Sequence, residues 1–275
     1  MSAAGALTVA GRTHAGQVRT QNEDYIGYDT RIGAVVLADG MGGYRGGEIA
    51  SAIAVNTILD HLRRTLPGVR PGEIDPDTGV TRQALAAREA IIRANETIYK
   101  TSRSQAQYQG MGTTVVLAVF HGNRITIGHV GDSRIYRLRD NELDQVTIDH
   151  TLLQELVDRG FYSPGEAKAS LNKNLVTRAL GIEPTVAVDI IEDVVFPDDI
   201  FLLCSDGLND MVDDEDIRLV LRSYEEDLDK AADELINLAN EAGGRDNISA
   251  ILVKATGVPA QPSRSWVRRL ADWFN

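Results

Sequence analysis

The chain has one cysteine, Cys204, among 275 residues, so no disulfide can form within it. That fits a reducing compartment, and a cytoplasmic location is the expectation. No uninterrupted apolar run reaches the roughly 18 residues of a membrane span. Met1 to Leu7 has neither a charged n-region nor a long apolar stretch, so it does not read as a secretory signal. Positive charge is scarce. Lys and Arg number 28 against 40 Asp and Glu, leaving a net charge of −12. Such a balance opposes non-specific nucleic-acid binding and suits metal ions or basic protein partners. There is no HExxH, no paired CxxC, no P-loop and no GxSxG, so zinc protease, NTPase and serine hydrolase readings lack support.

What is present is a hydrophobic fraction of 43% and a charged fraction of 25%, an ordinary globular composition with chain enough for a large core. The apolar run Ala34 to Ala38 reads as a buried strand, and it delivers Asp39-Gly40-Met41-Gly42-Gly43. An acid at a strand end followed by glycines suits metal or phosphate chemistry, because glycine lets backbone groups approach closely. Helical spacing follows over Gly46 to Leu66, with Ala50, Ile53, Ala54, Thr57, Ile58 and Leu62 on one face, and again over Thr81 to Ser104, with Ala84, Ala87, Ile91, Ala94 and Ile98. Between them, Pro67 to Val80 reads as an exposed loop.

The period then falls to two. Thr113 to Phe120 and Arg124 to Val130 form one predicted hairpin, and Ser133 to Arg139 with Glu142 to Thr147 a second. Thr151 to Arg159 and a turn from Ser163 are predicted helical, within a polar subdomain over 149–178. Further strands are predicted at Val186 to Ile191, Ile200 to Cys204 and Asn247 to Ala255. Asp213 to Asp216 opens a helix, and Asp229 to Ala242 forms another, stopped by Gly243-Gly244. Strands in two clusters with helices between and after them predict an α/β (α+β) sandwich of mostly antiparallel sheets. The expected organisation is a domain over 1–256, then a linker and a short amphipathic helix over 257–275.

Several carboxylates sit at strand ends beside glycine: Asp39, Asp132, Asp206 and Asp246, with Glu23-Asp24 before another strand. If those ends meet, the cluster repels itself and raises its own pKa values unless cations relieve it. All-oxygen donors select Mg, Mn or Ca over Zn.

Taken in order, Arg19-x-x-Asn22-Glu23-Asp24, Asp39-Gly40-Met41-Gly42-Gly43, Met111-Gly112-Thr113-Thr114, Gly131-Asp132-Ser133-Arg134, Asp149-His150, Ser205-Asp206-Gly207 and Gly244-Arg245-Asp246-Asn247 closely resemble the metal-dependent protein serine/threonine phosphatases, the type 2C family in its bacterial form. The resemblance spans roughly Leu7 to Ala255. It implies a four-layer αββα sandwich with a binuclear Mn or Mg site at one end and a weaker third ion. It implies that Asp39 bridges the two metals, that the Gly40 carbonyl ligates one, and that Glu23, Asp206 and Asp246 ligate the other. Asp132 with Asp206 is implied for the third ion, Asp24 for holding metal-bound water, and Arg19 for the substrate phosphate, a task suited to a guanidinium. Asp149 and His150 open the implied substrate-selecting flap.

The implied reaction is direct attack of a metal-bridging hydroxide on phosphoserine or phosphothreonine, with phosphorylated proteins as partners, among them a cognate kinase or its substrates. Non-catalytic phosphoprotein scaffolding and phosphodiester hydrolysis are the competing readings. Eukaryotic members carry a histidine where this chain has Met41, which leaves the leaving-group acid open between metal-bound water and His150. Cys204 is expected in the core, and His14, His61, His121 and His129 are expected to be structural or solvated. Both tryptophans fall in the tail, where Trp266, Leu270 and Trp273 share a helical face. That face either packs on its own domain or docks to a partner or a membrane surface.

Overall fold

The structure, a computed structural model, describes residues 7–43, 46–162 and 175–256. The turn expected from Ser163 and the tail carrying Trp266, Leu270 and Trp273 lie outside the described residues. Strands β1 (Leu7–His14), β2 (Asp24–Asp29) and β3 (Ala34–Met41) precede helices α1 (Gly46–Thr65) and α2 (Arg82–Ser104). Strands β4 (Gly112–Thr113), β5 (Val115–His121), β6 (Arg124–Val130), β7 (Arg134–Arg139) and β8 (Glu142–Gln145) follow, then α3 (Leu152–Asp158). The rest is β9 (Asp189–Val194), β10 (Ile200–Cys204), α4 (Asp206–Asn209), α5 (Asp214–Ser223), α6 (Leu228–Glu241) and β11 (Ile248–Ala255).

Two antiparallel sheets stack face to face. One runs β1-β11-β10-β7-β8, the other β2-β3-β5-β6-β9, with β4 pairing to β3. Strand β3 shows why. Its side chains alternate, and both faces are apolar. Ala34, Val36 and Ala38 join the core under α1 and α2. Val35 and Leu37 join the core between the sheets. A third core lies between the first sheet and helices α4 to α6, filled by Leu202, Ile217, Leu235 and Leu252 among others. The result is the four-layer αββα sandwich.

Local signals place the helices closely. Thr81 caps α2, its hydroxyl accepting from the Ala84 N–H. Asp213 caps α5 in the same way through Asp216, and the acids behind it fill the first turn. Two strand readings shift. The segment expected as one strand over Thr113 to Phe120 breaks at Thr114, whose N–H donates to the Asp39 carbonyl at 2.9 Å. The strand expected over Val186 to Ile191 lies at Asp189–Val194. Its register is set by β6, which pairs Arg124 with Val194 and His129 with Asp189. Val186 and Val188 instead pack against the helical core, which is why they look strand-like in sequence.

His61, His121 and His129 are buried, as is Cys204. Burial pushes His121 down to about 4 and His129 to about 3. Both therefore stay neutral in the folded protein at pH values where the unfolded chain, with histidines near about 6.5, binds protons. Stability contributed this way is complete above about pH 6.5 and is lost as pH falls toward 4. The raised carboxylates at the acid-lined end act in the opposite direction, so the check is a difference: the urea midpoint of the unsubstituted protein relative to that of His121→Gln should fall as pH drops from 7.5 to 4.5.

Candidate metal centre

Every acid singled out in the sequence reaches the same end of the sandwich. On the second sheet, antiparallel register sets Asp24 opposite Asp39. Glu23 is held from several sides. Its N–H donates to Asn247 Oδ1 at 2.8 Å, and its carbonyl accepts from Gly40 N at 3.1 Å and Ser51 Oγ at 2.6 Å. Its carboxylate meets the N–H groups of Gly47 and Glu48 in the first turn of α1. The packing here tolerates no side chain. A Cβ on Gly40 would lie 2.2 Å from the Gly47 carbonyl oxygen, and one on Gly47 would lie 2.7 Å from Glu23 Cδ.

The first sheet supplies the others. Asp206 begins α4 directly after β10, and Asp246 lies just before β11. Asp24 ties the sheets together, because its Oδ2 accepts from Ser205 Oγ at 2.8 Å and from Ser249 Oγ at 2.6 Å. Asp132 follows β6 in a loop braced by the Thr114–Ser133 hydroxyl pair at 2.7 Å. Thr113 Oγ1 donates to the Asp39 carbonyl at 2.7 Å, so the two threonines are polar support beneath the acids. Arg19 Nη2 donates to Asp246 Oδ2 at 2.7 Å from an exposed position.

The electrostatics match the crowding. Burial raises Asp39 well above the ordinary carboxylate range, and Asp24, Asp206, Asp132 and Asp246 push it further. Asp206 is raised for the same reasons, burial first and then Asp132 and Asp246. Asp24 and Asp132 are each pushed up to about 6, again chiefly by burial. Glu23 is raised by burial although Arg19 and the α1 amides oppose the shift.

Near Asp132, Arg134 pairs with Asp149 through Nη2 at 2.7 Å. His150 is buried with both ring nitrogens committed. Nδ1 accepts from the Gly131 N–H at 3.0 Å, which leaves the proton on Nε2 facing Asp189 Oδ2 at 3.1 Å. Arg178 Nη1 donates to Asp189 Oδ1 at 2.8 Å. His150 thus links the Asp132 loop to β9. Sequence reasoning missed Ser51, Arg178, Asp189 and Ser249, which carry no motif of their own. Only the period-two pattern of β11, placing Ser249 among apolar neighbours, hinted at one of them.

The donors suit hard divalent cations. They are oxygens, they are buried together, and Asp24 Oδ1 is buried with no hydrogen-bond partner. Among the described residues, no three acidic, histidine or cysteine side chains already converge on one point as ligands would. The fit therefore rests on the donor chemistry and on the mutual repulsion that a cation relieves.

A sandwich of this architecture with an acid-lined end defines a class, and comparison with known proteins agrees with it. Residues 10–253 match the family model described as protein phosphatase 2C. The chain is 37% identical over 246 residues to the serine/threonine phosphatase stp of Listeria welshimeri, covering 88% of this chain and 94% of that one. It is 39% identical over 250 residues to the serine/threonine protein phosphatase PstP of Mycobacterium tuberculosis, covering 90% of this chain and 44% of PstP. The crystal structure of M. tuberculosis PstP/Ppp is similar with a TM-score of 0.79 at 35% identity, covering 90% of this chain and 98% of that one. The PstP catalytic domain in complex with two manganese ions is similar with a TM-score of 0.76 at 35% identity, covering 90% and 97%. The chain belongs to the protein phosphatase 2C family, the metal-dependent protein serine/threonine phosphatases, in its bacterial form.

The close approach at Gly40 is directly testable. Gly40→Ala forces its Cβ onto two backbone carbonyls, which cannot swing aside as a side chain could. Overpacking of this kind costs about 1–3 kcal/mol. Thermal denaturation should show a lowered midpoint, and a midpoint equal to that of the unsubstituted protein would mean that the strand and α1 separate freely.

Proposed function

We propose that this chain hydrolyses phosphoserine and phosphothreonine in proteins, using two divalent cations, Mn or Mg, with a weaker third. Asp39 and the Gly40 carbonyl would hold the ions together with Glu23, Asp206 and Asp246, and Asp132 would serve the third with Asp206. When bound, such ions acidify a water and neutralise phosphoryl charge. The observation that carries the reading is the gathering of carboxylates from both sheets at one end, where burial first and neighbouring acids second hold Asp39 and Asp206 well above the ordinary carboxylate range.

The chain's own residues supply the remainder. Arg19 is exposed and reaches the acids only through its guanidinium, so it can exchange Asp246 for a substrate phosphate. Asp24 presents Oδ1 as an acceptor while Ser205 and Ser249 fix Oδ2, which suits it to orient a water rather than to ligate. No side chain is needed as a nucleophile. Burial pushes the Cys204 thiol up to about 12, and it stays an inert core group. With His150 committed at both nitrogens, the leaving alkoxide takes its proton from water at the site.

Phosphorylated proteins are the substrates, with a cognate kinase or its targets among them. The chain works as one catalytic domain over 1–256, with a flap over 149–178 rooted at Asp149 and His150 that selects among those substrates. No helix among the described residues is long and apolar enough to cross a membrane, and we place the activity in the cytoplasm. The scaffold reading is disfavoured because none of the expected acids is replaced, and the phosphodiesterase reading because basic residues are outnumbered 28 to 40.

Phosphate release from a phosphothreonine peptide should require Mn or Mg, stop in EDTA, and fall by about a hundredfold or more in Asp206→Asn. A folded, metal-loaded protein that releases nothing from several peptides would leave the scaffold reading in its place. Arg19→Ala should lower kcat/KM by about tenfold to a hundredfold, mostly through KM, since one charge-assisted contact contributes about 1.5–3 kcal/mol.

A further inference from the structure

Arg19 stands on an irregular segment. From Ala15 to Glu23 the chain forms neither helix nor strand, and Gln17 to Gln21 are exposed. A loop of this kind ordinarily samples many conformations, and a long side chain on it samples more. A guanidinium that has to meet a phosphate at one place gains from a loop already set, because ordering the loop on binding weakens affinity.

One side chain holds both ends of this loop. Asn247 is buried between Asp246 and the start of β11. Its Nδ2 donates to the Ala15 carbonyl at 3.0 Å and to the Gln21 carbonyl at 2.8 Å. Its Oδ1 accepts from the N–H of Glu23, the residue before β2, at 2.8 Å. Both amide hydrogens are thus used on the Arg19 loop. The partners also fix the orientation of the amide, since two carbonyls need donors and an N–H needs an acceptor. Aspartate, of the same shape, would turn an oxygen toward two carbonyl oxygens and add a charge beside the acids. Alanine would meet none of the three partners.

The chain just before Asp246 seats the loop from a second side. The N–H groups of Gln17 and Val18 both donate to the Gly244 carbonyl, at 2.7 and 3.2 Å. Gly16, at φ +80°, lies so close that a Cβ there would stand 2.2 Å from the Asp246 carbonyl oxygen. Only Arg19 and Thr20 stand between Val18 and Gln21, both of them pinned. From there Arg19 Nη2 reaches Asp246 Oδ2 at 2.7 Å, with Glu23 and Asp206 also within electrostatic reach. The loop carrying the guanidinium and the segment carrying Asp246 therefore form one hydrogen-bonded unit.

We infer, on the reading of Arg19 as the phosphate-binding group, that Asn247 is its positioning residue: by bridging the Ala15 and Gln21 carbonyls it sets the loop that presents Arg19 to substrate. Asn247 touches no substrate and acts through Arg19. Its hold on the Glu23 backbone offers a second route to the site, through the acids, and the two routes separate experimentally.

Asn247→Ala, Arg19→Ala and the double variant would be assayed on a phosphothreonine peptide, each at its own saturating Mn. Asn247→Ala should raise KM by about tenfold, with kcat changed much less, and should add little to KM once Arg19 is already alanine. Trypsin, which cleaves after arginine, gives a readout independent of catalysis. Well below the thermal midpoint, the fragment ending at Arg19 should appear several-fold faster from Asn247→Ala than from the unsubstituted protein. Gly16→Ala, which pushes the same loop away without touching the amide, should show both effects and serves if Asn247→Ala does not fold. An equal KM rise with and without Arg19 would overturn the inference, as would tryptic cleavage after Arg19 that neither variant accelerates. A raised Mn requirement with KM unchanged would also overturn it, in favour of a role through Glu23. No phosphate release from the unsubstituted protein would overturn the hydrolase reading and this inference with it, a failure visible before any variant is made.

Discussion

A carboxylate taken out of water resists ionisation, and one set among other carboxylates resists it further. Asp39 meets both conditions, and so does Asp206. A fold does not gather such groups for its own stability, so the surrounding structure has to hold them against their preference. It does so with backbone and hydroxyl donors. Ser205 and Ser249 fix one oxygen of Asp24, the α1 amides face Glu23, and Asn247 binds the Glu23 backbone. None of these donors is a cation, and among the described residues the guanidinium in hydrogen-bond contact with the cluster, that of Arg19, is exposed. Among the described residues the cluster's charge stays largely uncompensated, and the cations we propose would balance it.

The sandwich is the geometry that makes the gathering possible. Antiparallel register brings the start of β2 to the end of β3, so Glu23-Asp24 and Asp39 meet although separated by a hairpin. In the other sheet, the end of β10 and the start of β11 bring Asp206 and Asp246 together by the same rule. Asp24 then couples the sheets through serines on the opposite layer. The site lies at a seam where two layers are joined by polar contacts; the middle of the interface is apolar, and polar contacts return between β7 and β9, where Arg137 pairs with Asp193.

Much of this was legible in sequence. Helices α1 and α2 were marked by apolar spacing, α5 by its acidic cap, and the acids by their place beside glycine at strand ends. Their convergence was not derivable from spacing and came through family resemblance. What escaped was set by partners distant in the chain. Strand β9 took its register from β6, so Val186 and Val188, apolar and strand-like, went to a helical core instead. Ser249 and Asp189 are ordinary strand residues until Asp24 and His150 are placed beside them. A residue whose importance lies wholly in its neighbour leaves no local mark.

The pairing of the first strand with the last has a consequence for synthesis. Strand β1 lies against β11 along its whole length, from Leu7 with Ala255 to His14 with Ile248. As the chain leaves the ribosome, β1 waits without that partner until more than nine-tenths of the described residues have been made. Asp246 is the last of the acids to emerge, immediately before that final strand. The nascent chain can form the α1–α2 layer early, but α4 to α6 emerge only shortly before β11, and the acids cannot all gather at one end until the sheet closes. If these acids hold the cations as we propose, an unfinished chain is a silent one, and dephosphorylation waits until the domain is whole.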